Sequence, residues 1–150
     1  MRTEEGKALE RELKGALDRL AKATDEVAKL RGAVSKAYQE KVQARMNELI
    51  GTKADPDRIL QEAAMLAERS DIQEEIVRMQ THIKHFHQLL GGDKEIGKKL
   101  DFLLQEMNRE ANTLLSKTAG VSGEGLRITE LGLAMKSEIE KAREQVQNVE

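Results

Sequence analysis

Cysteine is absent from this 150-residue chain, which excludes disulfides, zinc–thiolate sites and a cysteine nucleophile. A reducing compartment is compatible with that absence. Aromatic residues make up only 2% of the chain, and there is a single proline. A β-sandwich or barrel draws on aromatic and β-branched strand residues and on frequent turns, so the composition argues against that class. The net charge is −2, so bulk charge does not draw the chain to nucleic acid or membrane. Any nucleic-acid surface must be a local patch. No apolar run approaches the ~18 residues that span a bilayer. The opening MRTEEGKALERELK lacks the apolar core of a signal peptide. The expected location is the cytoplasm.

What the chain does have is charge: 35% of its residues are Asp, Glu, Lys or Arg. With abundant Ala and Leu, that composition predicts an all-α fold in one domain over residues 1–150. Residues 3–50 read as one helix, because Leu9, Leu13, Ala16, Leu20 and Val27 begin a stripe at steps of three and four that continues through Val34, Tyr38, Val42, Met46 and Leu49. Such a helix is roughly 70 Å long, an arm rather than a core element. Gly51 marks its stop, and Asp55-Pro56 supplies an N-cap and a first helical residue for a second helix running to about Leu90.

That second helix changes face. Ile59, Leu60, Ala63, Leu66 and Ala67 share one side, whereas Ile72, Ile76, Met79, Ile83, Phe86 and Leu90 lie nearly opposite. The jump falls at Arg69-Ser70-Asp71, and a change of packing partner within a continuous helix is the favoured reading. Gly91-Gly92-Asp93 is a turn. A third helix covers about 95–117, residues 118–125 (TAGVSGEG) form a loop by composition, and a fourth helix covers about 127–149. The expected architecture is a long helical hairpin or four-helix bundle with an extended first helix.

Two segments carry candidate chemistry. Asp71, Glu75, Arg78 and His82 are spaced four, three and four, so they form a line beside an apolar stripe. Carboxylates and an imidazole in line suit a divalent cation or a general base, and equally a salt-bridged helix flank. His85 and His87 stand nearby without an HExxH-type companion. In the third helix, KKLDFLLQEMNREANTLLSK, Asp101, Gln105, Asn108 and Asn112 line one flank, and Glu106, Glu110 and Lys117 the other. Phe102 and Arg109 lie between the flanks, away from the core face. An outward Phe in so aromatic-poor a chain points to a second covering surface. Lys84, His85, His87, Lys94, Lys98 and Lys99 form a basic cluster that suits phosphate or plain solvation.

The runs KKLDFLLQEMNREANTLLSK, AERSDIQEEIVRMQTHIKHF and EIEKAREQVQN resemble the C-terminal domain of the YicC-like endoribonucleases, as does the opening Arg2-Thr3-Glu4-Glu5-Gly6. The resemblance covers nearly the whole chain. It implies a bacterial, cytoplasmic, hexameric protein that cuts RNA with a divalent metal, often manganese. It matches Asp71, Glu74, Glu75, Arg78 and His82, then Asp101, Phe102, Gln105, Glu106, Asn108, Arg109, Glu110, Asn112, Ser116 and Lys117. His85 and His87 match no fixed position. The family's N-terminal domain is absent, so the chain reads as a C-terminal piece.

Two functions follow as expectations. In the first the domain cleaves RNA phosphodiesters. His82, Glu75, Glu106 and Glu110 are then the catalytic candidates, Arg78, Lys99, Arg109 and Lys117 the RNA contacts, and Asp71, Glu75 and His82 the ligands of Mn²⁺ or Mg²⁺. A metal-free route, with His82 deprotonating a ribose 2′-OH, stays open beside it. In the second the domain is an oligomerisation scaffold without catalytic groups. A membrane-surface helix is disfavoured by the mixed charges of the first helix.

Overall fold

Five helices follow one another in the computed structural model, which describes residues 4–51, 55–90, 96–118 and 124–148. They are α1 (Glu4–Gly51), α2 (Pro56–Ser70), α3 (Gln73–Leu90), α4 (Gly97–Thr118) and α5 (Glu124–Asn148). No strand occurs among the described residues, so the protein is all-α. The Gly91-Gly92-Asp93 turn, Thr3, Glu95, Val149 and residues 119–123 of the expected loop lie outside the described residues.

The first half of α1 buries the predicted Leu9, Leu13, Ala16, Leu20 and Val27, together with Leu17 and Thr24. Thr24 is tolerated inside because its hydroxyl donates to the Leu20 carbonyl at 2.7 Å and lies 3.6 Å from Met135 Sδ. Farther along α1, the side chains of Val34, Tyr38, Val42 and Leu49 lie outside the described residues, and Met46 is half-buried.

Residues 55–90 are two helices rather than one continuous helix with a change of partner. The break falls at Asp71-Ile72. Asp71 Oδ1 accepts the Gln73 backbone N–H at 3.0 Å, and the Ile72 carbonyl accepts the Ile76 N–H at 3.0 Å, which opens α3. A local side-chain acceptor thus competes with helix continuation and wins. Ile72 itself is fully enclosed in the core. The break turns the apolar stripe to its new side without winding a helix across polar ground. Asp55 starts α2 in the predicted way, with Oδ1 accepting the Asp57 N–H at 3.1 Å. Leu60, expected on the inward side of α2, is instead 65% exposed. The side chains of Ile59, Ala63, Leu66 and Ala67 lie outside the described residues.

The apolar residues predicted inward from Ile72 to Leu90 are all buried, as are Leu100, Leu103, Leu104, Met107, Ala111 and Leu114 of α4 and Ile128, Leu131, Met135, Ile139, Ala142 and Val146 of α5. α5 begins three residues before the expected Arg127, because Glu124, Gly125 and Leu126 join the helix and Thr129 Oγ1 donates to the Gly125 carbonyl at 3.2 Å.

Cross-helix pairs give the topology. Glu12–Gln145, Arg19–Glu138 and Glu26–Arg127 run α1 antiparallel to α5. Asp101–Arg143 at one end, and the approach of Gly132 to Leu115 at the other, run α5 antiparallel to α4. Glu75–Lys117 and Arg78–Glu110 run α4 antiparallel to α3. The first half of α1 with α3, α4 and α5 makes an up-down-up-down four-helix bundle. The second half of α1 continues as an arm that pairs with α2 through Arg45–Glu62, at 3.3 Å.

Candidate cleavage site on the α3–α4 seam

Where α3 and α4 run side by side, their polar flanks meet in rungs. The first rung is Glu75 Oε1 against Lys117 Nζ at 2.8 Å. The next is Arg78 against Glu110 Oε2 at 3.9 Å, with Glu74 also holding Arg78 at 3.2 Å. Farther along, His82 and Glu106 make no ion pair or hydrogen bond with each other, but the carboxylate's charge acts on the imidazole. These rungs follow from sequence spacing. Residues 75, 78 and 82 share one face of α3, and 106, 110 and 117 share one face of α4.

The rungs differ in depth. Glu75 and Glu110 are buried, His82 and Lys117 are half-buried, and Arg78 and Arg109 are exposed. Burial pushes the Glu110 carboxyl above the usual range, with Glu75 and Glu106 adding to the effect and Arg78 opposing it. Burial also pushes the His82 imidazole down, which His85 and Arg78 reinforce and Glu106 opposes. The shift favours the neutral imidazole, the form a general base requires. Glu75 Oε2 is buried without a hydrogen-bond partner among the described residues, and so is Asn108 Oδ1.

The structure brings together most of the expected site. His82, Glu75, Glu106 and Glu110 share the seam, with Arg78 at its mouth. Arg109 lies alongside, 3.9 Å from Glu106. Lys99 is exposed on the first turns of α4, two helical turns from Glu106 on the same face. Lys117 is taken up within the fold by Glu75 and by the Asp71 carbonyl, at 3.0 Å.

Asp71 sits apart from the imidazole rung. Its carboxylate receives the Gln73 N–H and Arg31 Nη2, the latter at 3.3 Å. The Gln73 bond, more than the Arg31 and Lys117 charges, holds it below the usual range. Oxygen and imidazole donors suit Mn²⁺ or Mg²⁺ chemically. Among the described residues, however, no three His, Asp or Glu side chains converge to hold a metal ion. The Asp71, Glu75 and His82 ligand set is therefore not assembled in this conformation.

The opposite flank of α4 faces α5. Asp101 accepts from Gln105 at 2.9 Å, Arg143 at 2.9 Å and Gln147 at 3.4 Å. That flank is a structural interface. Phe102, between the two flanks, is 60% exposed. Spacing within one helix did not reveal Arg31 or Arg143, since each acts from another helix.

A model of the family described as "Endoribonuclease YicC-like, C-terminal" matches residues 27–150. The chain belongs to the YicC-like endoribonuclease family, as its C-terminal domain. Two curated relatives are each named probable endoribonuclease YicC. One, from Clostridioides difficile (strain 630), is 42% identical over 152 residues that cover 100% of this chain and 50% of the relative. The other, from Haemophilus influenzae, is 38% identical over 150 residues with the same coverage. The chain spans about half the length of the curated relatives it matches. Among the described residues of this YicC-like domain, no helix is long and apolar enough to cross a membrane.

Proposed function

We propose that this YicC-like domain is the RNA-cleaving part of a cytoplasmic endoribonuclease, and that its site is the mouth of the α3–α4 seam. The observation that carries this reading is the half-buried His82 within electrostatic reach of both Glu106 and the exposed Arg78, at the open edge of the seam. Neutral His82 takes the proton of a ribose 2′-OH, and the 2′-oxygen attacks the adjacent phosphorus. The 5′-oxygen leaves and takes a proton from water, which ends the chain in a 2′,3′-cyclic phosphate. Glu106 stabilises the imidazolium that forms, and Arg78 and Arg109 offset the charge that develops on the phosphoryl oxygens. Lys99 holds a neighbouring phosphate. Glu75 and Glu110, being buried, position the cations rather than touch RNA. No step is routed through Mn²⁺ or Mg²⁺. Cleavage measured in EDTA and then with added Mn²⁺ tests whether a cation enters.

The test is cleavage of a labelled RNA by the chain and by its His82→Ala variant. Loss of cutting with the fold retained supports the site, and undiminished cutting removes His82 from the mechanism. A second reading, a scaffold that assembles copies of the chain into a homo-oligomer such as a hexamer, is favoured by the exposed Phe102. A parent chain that oligomerises in light scattering but cuts no RNA in any cation would leave only that reading.

A further inference from the structure

Lys117 is poorly placed for the phosphate contact that its charge suggests. It stands at the last turn of α4, and its side chain is about one-quarter exposed. Its ammonium donates to the Asp71 carbonyl at 3.0 Å and to Glu75 Oε1 at 2.8 Å. Both acceptors lie where α3 begins. The Asp71 side chain is meanwhile held by the Gln73 N–H and by Arg31 of α1. One residue in the break between α2 and α3 is thus tied to three helices, α1, α3 and α4. The Asp71 carbonyl matters because an α2–α3 break leaves backbone groups that no continuous helix satisfies. Lys117 supplies a donor there and neutralises a buried carboxylate one turn farther on.

We infer that Lys117 is a positioning residue that clamps the start of α3 against the end of α4, and so sets the register that places His82 beside Glu106. The consequence for cleavage rests on the function proposed above, but the clamp itself does not. An antiparallel helix pair can slide, and the rungs at Arg78–Glu110 and His82–Glu106 are loose or half-exposed. The 2.8 Å pair is a shorter link than the 3.9 Å Arg78–Glu110 approach and sits at the end where the chain changes direction.

The experiment compares Lys117→Met and Lys117→Arg in the full chain. Amide hydrogen exchange is followed at residues 73–76 and, as an internal reference, at residues 135–142 of α5. The clamp predicts at least tenfold faster exchange at the start of α3 in Lys117→Met, little change in α5, and restoration by Lys117→Arg. The salt dependence of RNA binding stays as in the parent. Where the parent cuts RNA, kcat falls at least tenfold in Lys117→Met while KM changes little. Unchanged exchange at residues 73–76 overturns the clamp, as does a salt slope reduced by about one phosphate's worth. Should Lys117→Met fail to fold, Glu75→Gln is the second variant. It keeps the bond to the Asp71 carbonyl and predicts a smaller rise in exchange at the same residues; no rise overturns the proposal. A parent inactive on RNA defeats the proposed function and leaves the exchange result standing.

Discussion

The guanidinium of Arg78 stands 3.9 Å from the carboxylate of Glu110, and the two side chains differ sharply in exposure, 55% against 7%. A buried anion thus anchors the inner side of a cation whose outer side meets solvent. That asymmetry suits recognition of phosphate, since the anchor fixes a group that would otherwise sweep a large volume. It also has a cost, because desolvating Glu110 raises its proton affinity.

Glu110→Gln should therefore stabilise the fold at neutral pH. Glu110 titrates higher in the folded state than in the unfolded chain, so its contribution is complete below the unfolded value. It is lost as pH rises through the folded value. The glutamine has no such loss. Thermal melts should show parent and variant nearly equal at pH 4, and the variant ahead by about 2 °C or more at pH 7. Equal melting at both pH values would show that Arg78 fully offsets the burial.

His82 runs the other way. Its folded value is lowered, so its contribution to stability is present above pH 6.5 and lost as pH falls through the folded value. His82→Asn should flatten that part of the stability profile. Cleavage should rise with pH and reach half its plateau below pH 6.5. His82→Ala should cut activity by about 10²–10⁴-fold.

Lys99→Ala and Arg109→Ala should weaken RNA binding without altering the melt. Each phosphate contact removed lowers the slope of log K against log salt by about 0.7 for single strands. A titration across salt concentrations reads this directly. Binding that keeps its parent slope in both variants would place the RNA elsewhere.

Gly32 is exposed inside α1, and a Cβ built there meets nothing within 4 Å. Gly32→Ala should add about 0.5–1 kcal/mol, measured by urea unfolding. The same change at Gly132 should return less. There a Cβ comes within 2.8 Å of the Leu115 side chain, which must move.

The bundle was legible in the sequence because apolar stripes at helical spacing are local. Leu100, Leu104, Met107 and Leu114 announce their common face without reference to any other helix. The seam was legible for the same reason, since His82 and Glu106 each flank such a stripe. The break at Asp71 was half visible: the change of face showed, but a continuous helix with a new partner would have given the same pattern. What decides between them is one side-chain oxygen bonding one backbone N–H. The burial of Glu110 and the engagement of Lys117 were hidden, because both depend on which residue of α3 stands opposite. The intimate approach of Gly132 to α4 was hidden likewise.

α1 belongs to two bodies at once. Its first half is a wall of the bundle, and its second half is the spine of the arm. Arg31, midway along it, grips Asp71 at the spot where α2 hands over to α3. That junction lies one turn from Glu75 and three from His82. The direction of the arm is thereby tied to the same junction that opens α3.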